Sequence, residues 1–368
     1  MYLLNVQNFQ PRLFLDEKAR PPYAILSHTW NSDDEEVGFG DLRRYHQAVA
    51  QDEPSIVDSI SSRLGFKKIE RFCNVAKSHG LEWAWVDTCC IDKRSSAGLS
   101  EAINSMFKWY RDAERCCVFL QDVTGSYNDP SFRNSRWFSR GWTLQELIAP
   151  KLLYFYDQQW ELIGMIHDSP LETTHDTPPE TTHNDPPETM DGIPLETVDG
   201  ISTLCEAVSS ITSIPIAFLK GAPLADACVA KKMSWASKRQ TTRPEDIAYS
   251  LLGIFDINMP LLYGEGHRAF IRLQEAIISN TQDHSILAWG TINESKSSWF
   301  HISSHIPPSS GLGALAASPA DFEDCGDFEA ADVDLFKTHS NLDFQVTPGG
   351  VKLGVNIYVS DKFAVLNF

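Results

Sequence analysis

Short apolar runs at Tyr23–Ser27, Trp83–Val86, Cys116–Leu120 and Leu152–Tyr156 alternate with amphipathic stretches, and this alternation limits the fold more than any other feature of the chain. Ile69, Phe72, Cys73 and Ala76 recur at helical spacing and stop at Gly80, where a helix commonly turns left-handed. Leu99, Ile103, Met106, Tyr110 and Ala113 form a second stripe. Arg140–Pro150 gives a third helix, with Leu144, Leu147 and Ile148 on one face and Trp142, Glu146 and Ala149 on another. Parallel neighbours need a crossover, so this order predicts an α/β fold: a parallel sheet with helices on both faces. A ligand site in such a sheet lies at the carboxyl ends of the strands.

Those ends carry polar clusters: Ser27, His28 and Trp30 after the first run, Asp87–Lys93 after the second, and Gln121–Val123 after the third. Ser, Thr and Asp in such places also cap the following helix, so their convergence on one edge counts for more than any one of them. Glu146, a carboxylate beside the indole of Trp142, is the candidate for chemistry, with an ordinary solvated helix residue as the alternative. Asp33–Glu36 reads as a solvated acidic loop.

The chain has 368 residues and a formal charge of -18, which argues against nucleic acid because phosphate binding needs clustered Lys and Arg. The N-terminus lacks the basic and apolar regions of a secretion signal, and no apolar run is long enough to span a bilayer, so a cytoplasmic location is expected. Cys89-Cys90 and Cys116-Cys117 sit in or beside strand-like runs, where adjacent side chains face opposite sides; reduced core thiols are expected rather than disulfides. No CxxC spacing occurs, and neither a metal site nor a resident cofactor is predicted.

Taken together, Tyr23–Trp30, Trp85–Lys93, Leu99–Tyr110 and Arg140–Pro150 resemble the fungal heterokaryon-incompatibility (HET) domain, over about residues 20 to 160. A further run from Met233 to Gly266 is similar to the segment that follows this domain in many such proteins. The resemblance implies a role in non-self recognition and regulated cell death. The HET domain is in turn similar to the Toll/interleukin receptor (TIR) domain, which implies a flavodoxin-like sheet. In enzymatic TIR domains a glutamate in a Ser-x-Trp-Cys-x-x-Glu-Leu pattern supports cleavage of the nicotinamide-ribose bond of NAD. Here Ser139-Arg-Gly-Trp-Thr-Leu-Gln-Glu-Leu147 keeps the Trp-to-Glu spacing, has Thr143 for the Cys, and carries one inserted residue.

By this resemblance Glu146 is the catalytic carboxylate, NAD the substrate, and Ser27, His28 and Trp30 line the nucleotide site, with Asp87 beside them. A carboxylate suits a reaction that leaves positive charge on a ribose. Trp142 offers a stacking surface for the pyridinium, with core packing as its other role. The Asp87–Ser100 loop corresponds to a self-assembly segment, so self-association is implied, with another incompatibility protein as a trigger. Two alternatives stand beside the enzyme: a self-associating signalling module without a substrate, and a hydrolase using Cys89 or Cys90 with His28.

Four domains are expected. Residues 1–165 form the HET domain. Residues 166–201 are a disordered acidic insert, in which Pro170-Leu-Glu-Thr, Pro178-Pro-Glu-Thr, Pro186-Pro-Glu-Thr and Pro194-Leu-Glu-Thr recur. Residues 202–283 are helical, with Leu251, Leu252 and Phe255 on one helix and Phe270, Leu273 and Ile277 on another. Residues 284–368 are β-rich, through Ser285–Trp289, Val351–Val359 and Phe363–Phe368, and the chain ends on a strand as a truncated terminus would.

Overall fold

A computed structural model of the chain describes residues 1–167, 198–290, 315–329, 344–347, 350–353, 356–360 and 363–367. It divides into two compact units, residues 1–138 with 146–222, and residues 139–145 with 223–368.

The first unit is built on a sheet. Its elements are β1 (Tyr2–Asn5), β2 (Pro11–Leu13), β3 (Ala24–His28), α1 (Phe39–Ala50), α2 (Pro54–Ser61), α3 (Leu64–Ser78), β4 (Trp83–Trp85), α4 (Asp87–Cys90), α5 (Ser96–Arg111), β5 (Arg115–Phe119), α6 (Pro130–Arg133), α7 (Arg136–Ser139), α8 (Thr143–Ile148, of which Thr143–Gln145 fall in the second unit), β6 (Leu152–Tyr156) and β7 (Leu162–His167). The spatial order is β2-β1-β4-β3-β5-β6-β7. β4, β3, β5 and β6 are mutually parallel, whereas β1, β2 and β7 join antiparallel at the edges. The four expected apolar runs are the parallel strands. Every residue of β3 is buried, which is why that run shows no polar alternation. β2 went unpredicted because it is short and mostly exposed; β7, an apolar run at the other edge, went unpredicted as well.

Numbered along the chain, the parallel strands lie second, first, third, fourth, so the winding reverses between β3 and β5. Right-handed crossovers then set α1 to α3 against one face and α5 to α8 against the other. α3 buries Ile69, Phe72, Cys73 and Ala76, the stripe read from its spacing, together with Phe66, and α5 buries Ala102, Ile103, Met106, Trp109 and Tyr110. Tyr23 and Tyr110 fasten α5 to β3, through hydroxyl bonds to the carbonyls of Trp109 (2.6 Å) and Leu26 (2.9 Å). α9 (Val198–Thr212) lies along β7, where a Cβ at Gly164 would come within 3.0 Å of the end of the Leu204 side chain, a tight contact. β7 therefore continues through His167 and α9 starts at Val198, both inside the span expected for the insert. The repeats themselves lie outside the described residues.

The second unit includes α11 (Val229–Ser234), α12 (Asp246–Tyr249), α13 (Arg268–Asn280), and the hairpins β8 (Phe344–Thr347) with β9 (Gly350–Leu353) and β10 (Asn356–Ser360) with β11 (Phe363–Asn367); α10 (Ile216–Leu219) precedes it in the first. α13 buries Phe270, Leu273 and Ile277 as its spacing implies. Two local expectations are corrected. Leu251–Phe255 is a series of turns rather than a helix, ending at Asp256 with a left-handed φ of 54°. Ser285–Trp289 is not a strand: His284–Leu287 is a 3-10 turn, because the Asp283 carboxylate accepts from the Ser285 amide at 3.0 Å and starts it. All eight cysteines are free and buried, as expected of core thiols.

Candidate functional site

Neighbouring residues of a strand point to opposite faces, so Ser27 and His28 at the carboxyl end of β3 open two different networks. Ser27 meets the α5 to α8 side. Its hydroxyl donates to Glu146 Oε2 at 2.5 Å and accepts the indole N–H of Trp137 at 2.8 Å. The Tyr110 hydroxyl is hydrogen-bonded to the same carboxylate as well as to Leu26; burial first, and Glu146 next, push its pKa far up. All of this is enclosed: Ser27 and Trp137 are fully buried and Glu146 is 5% exposed. The alternative of an ordinary solvated Glu146 is thus set aside, because α8 buries Leu144, Gln145, Glu146 and Leu147 together. A carboxylate removed from water needs hydrogen-bond partners, and Ser27 and Tyr110 supply them.

His28 meets the other face. Its Nε2 lies 2.9 Å from Asp87 Oδ1 and its Nδ1 3.1 Å from the Thr29 carbonyl. The second Asp87 oxygen accepts the Trp30 indole N–H at 2.8 Å, so one carboxylate at the start of α4 ties both residues of the β3 edge. Burial lowers the His28 pKa, Lys68 lowers it further, and Asp87 opposes both. Lys68, buried on α3, holds Glu36 Oε1 at 2.5 Å, and the Asn31 amide reaches the same oxygen at 2.7 Å. Burial would raise the Glu36 pKa, yet His28 and Lys68 outweigh it and keep it low. Asp33 and Asp34 are exposed, as a solvated acidic loop requires, whereas Glu36 is turned inward onto Lys68, which corrects that expectation at this one residue.

Of the six residues singled out, the structure joins Ser27 to Glu146, and His28 and Trp30 to Asp87. Trp142 goes elsewhere. It precedes α8 rather than sharing a helix face with Glu146, and its indole bonds to Asp246 within the second unit. The indole that completes the Glu146 network is Trp137. Sequence offers a single signal for it, a second tryptophan five positions before Trp142, and nothing to rank the two. Lys68 was hidden more thoroughly, since a lysine amid an apolar stripe normally snorkels.

Of the two thiols in the cysteine alternative, Cys89 is poorly placed for chemistry. Burial raises the pKa of Cys89 far above that of an ordinary thiol, and its Sγ bonds to the Val86 carbonyl at 3.9 Å. Buried thiols with raised pKa are inert.

The fold and its carboxyl edge define an α/β domain with a mixed, mostly parallel sheet, and comparison with known proteins gives its family. Residues 23–133 match the model described as Heterokaryon incompatibility protein (HET), and residues 268–359 match a domain of unknown function, DUF8212. The chain carries a HET domain. It is similar to the vegetative incompatibility protein HET-E-1 of Podospora anserina, with 43% identity over 267 residues, covering 70% of this chain. The match spans only 16% of that relative's length. No solved structure matches significantly. Among the described residues no helix is long and apolar enough to cross a membrane.

Proposed function

We propose that the chain acts in vegetative incompatibility, and that its HET domain cleaves the nicotinamide-ribose bond of NAD with Glu146 facing the ribose. The similarity to an incompatibility protein supports the first part. The second is supported by one observation above all: Glu146 is fixed by Ser27 at the carboxyl end of β3, beside the point where the winding reverses. A parallel order of second, first, third, fourth is also that of flavodoxin-like sheets, whose ligands sit at this reversal. In the reaction the bond from ribose C1′ to the pyridinium nitrogen breaks, and its electron pair leaves with neutral nicotinamide. The carboxylate stabilises the positive charge left on the ribose; water then adds to C1′ and releases a proton.

Nicotinamide release from NAD by the purified chain, dilute and artificially clustered, tests this. Glu146→Gln is expected to lower turnover about 100-fold or more, as loss of a charge-stabilising group does. Ser27→Ala, which leaves the carboxylate in place but loosens it, should fall between the two. Unchanged turnover in Glu146→Gln, or none in the wild type in either state, removes the enzymatic proposal. The burial of Glu146 favours a second reading, in which the carboxylate holds β3 to α8 and the domain works only by self-assembly.

A further inference from the structure

Three stretches of the chain set two cations ahead of a hydroxyl with one residue between: Lys93-Arg94-Ser95-Ser96, Lys231-Lys232-Met233-Ser234 and Lys238-Arg239-Gln240-Thr241. A serine kinase with an acidic substrate cleft reads that spacing, since its carboxylates take the two cations while the hydroxyl reaches the nucleotide. The fold closes two of the three. Ser234 is 7% exposed, and its hydroxyl donates to the Lys231 carbonyl at 2.7 Å. In the third stretch Arg239 is buried, and the Thr241 hydroxyl donates to the Arg243 carbonyl at 2.6 Å.

The first stretch is open. Residues 93–97 are all exposed, between α4 and the first turn of α5. Ser95 caps α5, its hydroxyl oxygen accepting the Gly98 amide at 3.1 Å, which leaves Ser96 as the exposed hydroxyl at the right distance from both cations. Arg94, 66% exposed, forks onto Asp92 at 2.9 and 3.0 Å; so exposed an ion pair contributes little, and a carboxylate of a kinase can displace it. Lys93 rests on the Trp30 ring at 3.9 Å, another weak contact at an exposed site. The first buried residue of α5 is Ala102, and Gly98 weakens the opening turn, so Ser96 can be drawn out in extended form without moving a core side chain.

We propose that Ser96 is a phosphorylation site, modified by a serine kinase that selects cations two and three residues upstream. In the step, Ser96 Oγ bonds to the γ-phosphorus of a nucleoside triphosphate. The bond from that phosphorus to the bridging oxygen breaks, its electron pair leaves with the nucleoside diphosphate, and the hydroxyl proton passes to the base of the kinase. The product carries close to two negative charges at the first residue of α5, where the unpaired amides of the helix start and Arg94, two residues back, both favour them. Arg94 then turns from Asp92 to the phosphate, so the loop between α4 and α5 exchanges one ion pair for a stronger one.

Incubation of the full chain with ATP and the catalytic subunit of cAMP-dependent protein kinase, followed by mass spectrometry of its peptides, tests the site. About one phosphate per chain is expected, carried by Ser96, with none on Ser234 or Thr241. Ser96→Ala should abolish incorporation, and Arg94→Gln should lower kcat/KM for the phosphorylation about tenfold or more, as loss of a forked charge-assisted contact does. Both residues are exposed, so both variants should melt near the wild type. Incorporation below about a tenth of a phosphate per chain, phosphate found on Ser95, Ser234 or Thr241 in place of Ser96, or unchanged labelling of either variant would each overturn the proposal. None of these outcomes depends on whether the chain cleaves NAD.

Discussion

His28 and the Lys68–Glu36 pair are the residues on which the β3 edge depends, because each puts a titratable group where water is scarce. The lowered His28 pKa means that the folded chain binds fewer protons than the unfolded chain once pH drops below the ordinary 6.5. Stability is therefore full above that value and declines as pH falls toward the folded pKa. Glu36, also lowered, adds a second loss below about 4.5, when its carboxylate must be protonated. Urea unfolding at pH 7.5 and 5.5 should show the first loss, and His28→Gln should flatten it; an equal slope in that variant would place the titration elsewhere. Lys68→Met leaves a buried carboxylate unpaired and is expected to cost about 3–5 kcal/mol. Adding Glu36→Gln should recover much of it, as calorimetry of the single and double variants would show.

Among the elements, α3 is held against the loop that precedes α1 by the absence of a side chain. A Cβ at Gly65 would lie 2.7 Å from the Glu35 carbonyl oxygen and 2.8 Å from the Val37 amide nitrogen, both backbone atoms that cannot rotate away. The close approach is used: the Gly65 amide donates to that carbonyl at 2.8 Å, and it brings Glu36 within reach of Lys68. Gly65→Ala should cost about 1–3 kcal/mol, the range for overpacking, and lower the melting temperature. A melting temperature equal to the wild type would mean that the loop yields freely.

For the whole molecule, the consequential feature is that Ser139–Gln145 belongs to the second unit while Glu146, the next residue, belongs to the first. Gly141 and Gln240 bond through their backbones at 2.7 Å. The buried Arg239 guanidinium donates to the Arg140 carbonyl at 2.9 Å and to the Thr143 hydroxyl at 2.8 Å. The first turn of α8 is thus anchored by residues about a hundred positions further on. Arg239→Met is expected to destabilise the chain by about 2–3 kcal/mol, within the range for hydrogen bonds to a charged group. If NAD is cleaved, turnover should fall as well, although Arg239 lies in the second unit; thermal unfolding and nicotinamide release on one preparation check both.

The amino-acid order alone settled the parallel strands, the apolar face of α3, the Ile103, Met106 and Tyr110 core of the α5 face, the reduced state of the cysteines and the HET motifs, since each rests on local periodicity or on short runs of particular residues. It also singled out Glu146, Ser27, His28, Trp30 and Asp87. Only the tertiary structure decided how these sort: Ser27 with Glu146 on one face, His28 with Asp87 on the other, and Trp142 replaced by Trp137. Strand alternation fixes that two neighbours diverge, but which distant side chain each one meets depends on crossovers tens of residues long. The same reason hid the burial of Glu36 and Lys68, charges that leave water only because folding supplies each with the other.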